Sequence, residues 1–229
     1  MKLGIISGTS INASDLFKDW EKGDFVTSFG NVPYRYYRNI VIINRHGREG
    51  TLPPHAINHR ANLQALQRLA CTNILSLNSV GSLKPDLPPG TLLSCGDYVS
   101  FAPSTFSDDE GKFLAPVVPN GLIPEIADLL GEPLPQNKVY VQTRGPRFET
   151  PAEVRVVQHW GDVVGMTMAS EADLANELGI DYNSLAMVDN FANGMGEEPL
   201  TLERFRERLK ANQGQVNAVL AKVLKHYFS

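Results

Sequence analysis

The sequence predicts a single α/β domain, and three observations carry that expectation. Apolar runs of strand length alternate with stretches of helical period along the whole chain. No linker, internal repeat or low-complexity tract interrupts the alternation. The chain has 229 residues, with 42% apolar and 20% charged, which suits one large domain with a substantial core.

Taken in order, residues 3–7 read as a buried strand running into Gly8-Thr9-Ser10. Such a small-residue turn serves as a tight turn or offers N–H groups and hydroxyls to an anion. Residues 12–33 are polar, aromatic and weakly periodic and receive no element. Residues 34–44, rich in Tyr, Val and Ile, read as one strand that delivers Asn44-Arg45-His46-Gly47. An Arg-His pair there fits a solvated loop, yet arginine is also suited to bidentate phosphate contacts. After Pro53-Pro54, residues 57–69 read as a helix and 73–80 as a strand ending in Asn78-Ser79-Val80-Gly81. Residues 96–102 form a further strand. Residues 103–121 are rich in Pro, Asp, Ser and Gly and read as a long loop carrying Phe106 and Phe113.

The clearest punctuation lies in residues 142–168. A strand over 139–142 breaks at Gly145-Pro146. Thr150 is an N-cap, Pro151 occupies the first helical position and Glu153 completes a capping box. Val154, Val157 and Trp160 give this helix an apolar side, with Gly161 placed to end it. Residues 163–168 follow as strand, 170–178 as helix and 182–189 as buried strand, ending in Asn190. Thr201 caps a long final helix with Phe205, Leu209, Val216, Leu220 and Val223 at a period near 3.6. Candidate polar residues therefore gather at strand ends, where ligands bind in open α/β sheets.

Several function classes are disfavoured. A net charge of −4 without a basic run argues against nucleic-acid and anionic-membrane partners. The apolar run in MKLGIISGTS is too short for a signal peptide, and no stretch has transmembrane length. Two cysteines in unrelated contexts suggest neither metal nor disulfide scaffold, so a reducing, cytoplasmic setting is expected. No HExxH, clustered Cys/His or G-x-S-x-G motif occurs. What remains is an anion site of hydroxyls, Arg and His beside a pocket with an acid, an amide and an aromatic. That inventory suits a reaction in which a bound anion meets a heterocyclic substrate.

The run GPRFETPAE followed by VGMTM resembles the signature of the trimeric purine nucleoside phosphorylase and methylthioadenosine phosphorylase family, and the similarity extends over most of the chain. The resemblance implies a single nucleoside phosphorylase-like domain over residues 1–229, a three-layer α/β/α fold with a central mixed sheet. It implies phosphate binding by Thr9, Arg45, His46, Asn78, Ser79 and Thr167. Met166 would pack under the ribose, Phe148 would stack on the purine, and Val80 and Gly81 would line the purine side. Asn190, Glu149 and His46 would take part in the chemistry. Phosphate would be a co-substrate, with no cofactor and no metal.

The base-reading residues separate the family's branches. The adenine-specific branch has aspartate where this chain has Asn190. The 6-oxopurine branch has asparagine there and a glutamate after the motif phenylalanine, as Glu149 follows Phe148. A carboxylate accepts from N1–H of hypoxanthine or guanine, and an amide donates to O6 or N7. Asp189 stands where close relatives have threonine and adds an acid near the purine edge. Leu200 and Leu202 stand where nucleoside-type enzymes carry a histidine for the 5′-hydroxyl, a lean toward 5′-methylthio substrates. A homotrimer is implied, with Phe113 of the 103–121 loop lent to the neighbouring site. The alternatives are a methylthioadenosine phosphorylase, a nucleosidase using water, and a non-catalytic nucleoside-binding protein.

Overall fold

The structure, a computed structural model, describes residues 1–8, 11, 14–108, 113–196 and 199–228. Its strands are β1 (Leu3–Ser7), β2 (Glu21–Thr27), β3 (Gly30–Tyr37), β4 (Ile40–Asn44), β5 (Asn73–Ser82), β6 (Leu92–Leu93), β7 (Cys95–Val99), β8 (Lys138–Gln142), β9 (Val163–Gly165) and β10 (Asp181–Phe191). The helices are α1 (His59–Arg68), α2 (Ile123–Leu130), α3 (Pro151–Val157), α4 (Met168–Leu178) and α5 (Leu202–Tyr227). The strands join one mixed sheet in the order β2-β3-β4-β1-β5-β9-β8-β7, with β10 branching from β5. Strands β4, β1, β5 and β10 pair in parallel, whereas β9 meets the end of β5 antiparallel.

Alternation along the central strands builds two cores. Ile6, Ile43, Ile74 and Val188 face a layer made by α1 and α4. Their neighbours Ile5, Ile42, Leu75 and Met187 face α2 and α5. A strand covered on both faces is apolar throughout, which is why β1 and β10 read as continuous runs. The result is the expected three-layer α/β/α arrangement with a central mixed sheet. None of the described helices is long and apolar enough to cross a membrane.

The structure corrects the sequence expectation in several places. The unassigned 12–33 stretch holds β2 and half of a hairpin, because β2 at the sheet edge buries little and alternates weakly. Gly23 there admits the Tyr34 ring, which a Cβ would meet at 2.5 Å. The single strand expected over 34–44 is two strands, reversed at Arg38, which sits at φ 52°. Helix α2 was not expected, although Pro124 inside its start and Gly131 at its left-handed cap are its signals. Helix α3 stops at Val157, and Trp160 is 45% exposed rather than part of its apolar side. Gly161 serves close packing instead of ending the helix: a Cβ would stand 2.8 Å from the Val139 carbonyl of β8. The strand after it ends at Gly165, and α4 begins at Met168, because Tyr140 and Gln142 supply acceptors for its first N–H groups.

Candidate active site

A cavity of about 350 Å³ opens where β9 turns against the end of β5, roofed by the first turns of α5. Arg45 and His46 reach it from the end of β4, and Asn78, Ser79, Val80 and Gly81 from β5. Phe148 and Glu149 come from the turn before α3, Met166 and Thr167 from the turn after β9. Asp189 and Asn190 enter from β10 and Leu202 from α5. Thr9 lies outside the described residues, but Gly8 before it lines the same cavity. Phe113 is not among the lining residues of its own chain and is 100% exposed. Phe106, expected to be exposed as well, packs against Phe29 with ring centroids 5.5 Å apart.

On one wall the polar groups are prearranged. Asn78 donates from Nδ2 to Thr167 Oγ1 at 3.0 Å, and its Oδ1 lies 3.1 Å from Ser76 Oγ. Thr167 N–H donates to the Tyr140 hydroxyl at 3.1 Å, so the turn that carries Thr167 is clamped from β8. His46 Nδ1 lies 2.7 Å from the Leu52 carbonyl. A carbonyl only accepts, so Nδ1 bears the hydrogen and Nε2 is left beside Gly8, 3.4 Å from where a Cβ would stand. Burial, then the neighbouring Arg45 charge, lowers the His46 pKa and keeps the ring neutral at neutral pH. Its Nε2 lone pair can therefore accept from a protonated oxyanion.

Arg45 differs from the sequence expectation of an open bidentate fork. It is 3% exposed. Its Nε donates to Glu171 Oε1 at 2.6 Å, and Nη2 to Ser76 Oγ at 2.9 Å and Glu171 Oε2 at 3.3 Å. Nη1 donates to the Leu77 carbonyl at 2.8 Å. Burial opposes both charges, yet their mutual attraction prevails: Arg45 is held above its ordinary pKa and Glu171 below.

The opposite wall suits a heterocycle. Glu149 is buried and accepts at Oε1 from Thr143 Oγ1 at 2.6 Å, while Asn193 Nδ2 holds its backbone carbonyl at 2.9 Å. Asn190 follows a register shift between Val188 and Asn190, and its Nδ2 donates to the Phe191 carbonyl at 2.7 Å. Gly81 makes room for it, since a Cβ there would sit 3.3 Å from that Nδ2. Phe148 stands edge-on to Phe205 of α5, centroids 5.4 Å apart. Met166 passes beneath Gly145, where a Cβ would meet the Met166 sulfur at 2.5 Å. Asp189 does not present a bare carboxylate to the cavity: it accepts from Ser79 Oγ and from Asn212 Nδ2, the latter at 2.7 Å. Burial raises its pKa against those two hydrogen bonds. Ser79 correspondingly gives its hydroxyl hydrogen to Asp189 rather than to an anion.

Sequence reasoning missed Glu171, Asn212, Tyr140 and Gln142. Glu171 in the first turn of α4 looks like an ordinary complement to the helix dipole. Its partner Arg45 is 126 residues away, and no local spacing connects them.

Hydroxyl, imidazole and amide groups thus share one cavity with a buried acid and a second amide, in a three-layer mixed-sheet domain. The Phosphorylase superfamily sequence profile matches residues 2–225, and the chain belongs to that family. A probable S-methyl-5′-thioinosine phosphorylase of Methanocaldococcus jannaschii is 37% identical, with 99% of this chain and 93% of that protein covered. A probable 6-oxopurine nucleoside phosphorylase of Dictyoglomus turgidum is 35% identical over 98% of this chain and 91% of that protein. Methylthioadenosine phosphorylase from Schistosoma mansoni, solved with adenine, superposes with a TM-score of 0.81 at 25% identity, over 99% of this chain and 92% of that one.

Proposed function

We propose that the protein cleaves the N-glycosidic bond of 6-oxopurine nucleosides with inorganic phosphate, giving free purine and a ribose 1-phosphate. The observation that carries this reading is the meeting of Glu149 and Asn190 with His46, Asn78 and Thr167 in one cavity. Phosphate is the nucleophile and co-substrate, so no protein nucleophile and no cofactor is called for. Holding it beside the sugar contributes roughly 7 kcal/mol or more through proximity. An amide donor at the departing purine adds about 3 kcal/mol as negative charge develops there. The names of the M. jannaschii and D. turgidum relatives support the 6-oxopurine assignment. The free, buried Cys71 and Cys95 fit a reducing, cytoplasmic setting.

The test is purine release from inosine, guanosine and adenosine with and without phosphate. Release of hypoxanthine that depends on phosphate is expected; equal release in its absence would establish a nucleosidase. The roof favours a second substrate form. Leu200, Leu202, Phe205 and Leu209 line the cavity with apolar surface, which suits a 5′-methylthio group better than a 5′-hydroxyl. Methylthioinosine should then show the higher kcat/KM.

The assembly proposed is a homotrimer in which Phe113 closes a neighbour's sugar pocket. Its ring is fully exposed in one chain, and burying it would be worth about 2 kcal/mol. Light scattering should give three times the mass of one chain, and Phe113→Ala should raise the nucleoside KM while leaving that for phosphate unchanged. A fully active monomer would refute the arrangement.

A further inference from the structure

We infer that Glu171 is a positioning residue for the phosphate half of the reaction: it fixes the Arg45 guanidinium so that Nη1 alone is directed at the turn after β1. The inference rests on the phosphorolysis proposed above.

Arginine carries five N–H groups. In Arg45 the one on Nε is taken by Glu171. The two on Nη2 are shared among Ser76 Oγ, Glu171 Oε2 and, at 3.4 Å, the Ile6 carbonyl. One on Nη1 goes to the Leu77 carbonyl. Nη1 is also the guanidinium atom that reaches Gly8, 3.5 Å from a Cβ built there, alongside His46 Nε2. Its second hydrogen is the donor that this arrangement leaves for an anion.

Glu171 itself is held from three sides. It is 0% exposed, and Oε2 accepts from Ser76 Oγ at 2.7 Å and from the Tyr182 hydroxyl at 2.9 Å. His59 Nδ1 lies 3.9 Å from Oε1 and makes no hydrogen bond. Burial drives the His59 pKa down to about 4, so that ring is neutral and does not compete with Arg45 for the carboxylate. Ser76, whose single hydroxyl hydrogen is shared between Glu171 Oε2 at 2.7 Å and Asn78 Oδ1 at 3.1 Å, links the pair to Asn78 and so to Thr167. One carboxylate beneath the cavity thus orients two of the groups assigned to phosphate.

Orientation and charge predict opposite signs for one substitution. If Glu171 only neutralises Arg45, then Glu171→Gln removes a negative charge from below the anion site and phosphate should bind more tightly. If Glu171 positions the guanidinium, the same variant loses the charge-assisted bond at Nε and phosphate should be used less well. We expect kcat/KM for phosphate to fall at least fivefold, with the nucleoside KM within twofold of the parent. Ser76→Ala, which removes one side of the clamp and no charge, should give a smaller fall of the same kind. Both variants are assayed well below their melting midpoints, so the second decides should the first fold poorly. An unchanged or improved kcat/KM for phosphate, or parallel changes in both substrates, would overturn the inference. Phosphate-independent purine release by the parent protein would instead overturn the phosphorolysis reading itself.

Discussion

Arg45→Ala should cost the protein both its phosphate affinity and much of its stability. The substitution leaves Glu171 ionised and fully buried with no cation beside it. Removing one partner of a buried pair costs about 3–5 kcal/mol, a large share of the 5–15 kcal/mol that holds a typical domain together. For a chain of this size the melting midpoint should drop by roughly 6–20 °C. The phosphate KM should rise about ten- to a hundredfold, the equivalent of one charge-assisted hydrogen bond of about 1.5–3 kcal/mol. The two effects can be separated. In Arg45→Met with Glu171→Gln, a neutral acceptor still serves Ser76 and Tyr182, and apolar packing replaces the guanidinium. That double variant should recover most of the midpoint while its phosphate KM stays high. A single variant melting within about 2 °C of the parent would show that the ion pair is not needed for the fold.

Asn190→Asp should shift base preference from 6-oxopurines toward 6-aminopurines. The amide donates to the Phe191 carbonyl at 2.7 Å and stands beside Gly81 in the cavity lining. An aspartate there meets that carbonyl, also an acceptor, which favours its protonated form. A carboxylic acid accepts from an exocyclic amine and donates to N7, whereas it no longer offers two N–H groups. One mismatched and one lost hydrogen bond amount to roughly a hundredfold change in the inosine-to-adenosine ratio of kcat/KM. Glu149, fixed by Thr143, still disfavours the unprotonated N1 of adenine, so the variant should fall short of complete reversal. Retention of the parent's full preference for hypoxanthine would remove Asn190 from base reading.

Much of this molecule was legible in its sequence because its central strands are buried on both faces. Runs such as those of β1, β5 and β10 leave little ambiguity, and the Thr150–Glu153 capping box marks the start of α3 to the residue. The edge of the sheet was not legible. β2 and β3 bury few side chains, so their apolar alternation is weak, and the turn at Arg38-Asn39 is announced by a single asparagine inside a run rich in Tyr and Ile. In the site, most lining residues were legible because they stand near strand ends or in the turns that follow them. What each one touches was not. Arg45 looked free because Glu171 is remote in sequence, and Asp189 looked available because neither Ser79 nor Asn212 is adjacent to it. Chemistry was thus readable by residue type, whereas hydrogen-bond occupancy depended on contacts that only folding creates.

The linked side chains from Glu171 through Ser76 and Asn78 to Thr167 bear on when disorder is lost. Immobilising a long side chain such as arginine or glutamate costs up to about 2 kcal/mol of rotamer entropy. Here that loss falls on folding, because the groups are bonded to one another within the fold. A phosphate held here would therefore meet groups whose positions the fold itself sets, with little further ordering to oppose it. The nucleoside half of the cavity is built differently. The front turns of α5, at Leu202, Phe205 and Leu209, roof the cavity without being fully buried, while Val216, Leu220 and Val223 anchor the same helix in the core. One part of the site is thus stiff by construction, and another is a helix start whose apolar side chains keep part of their surface open.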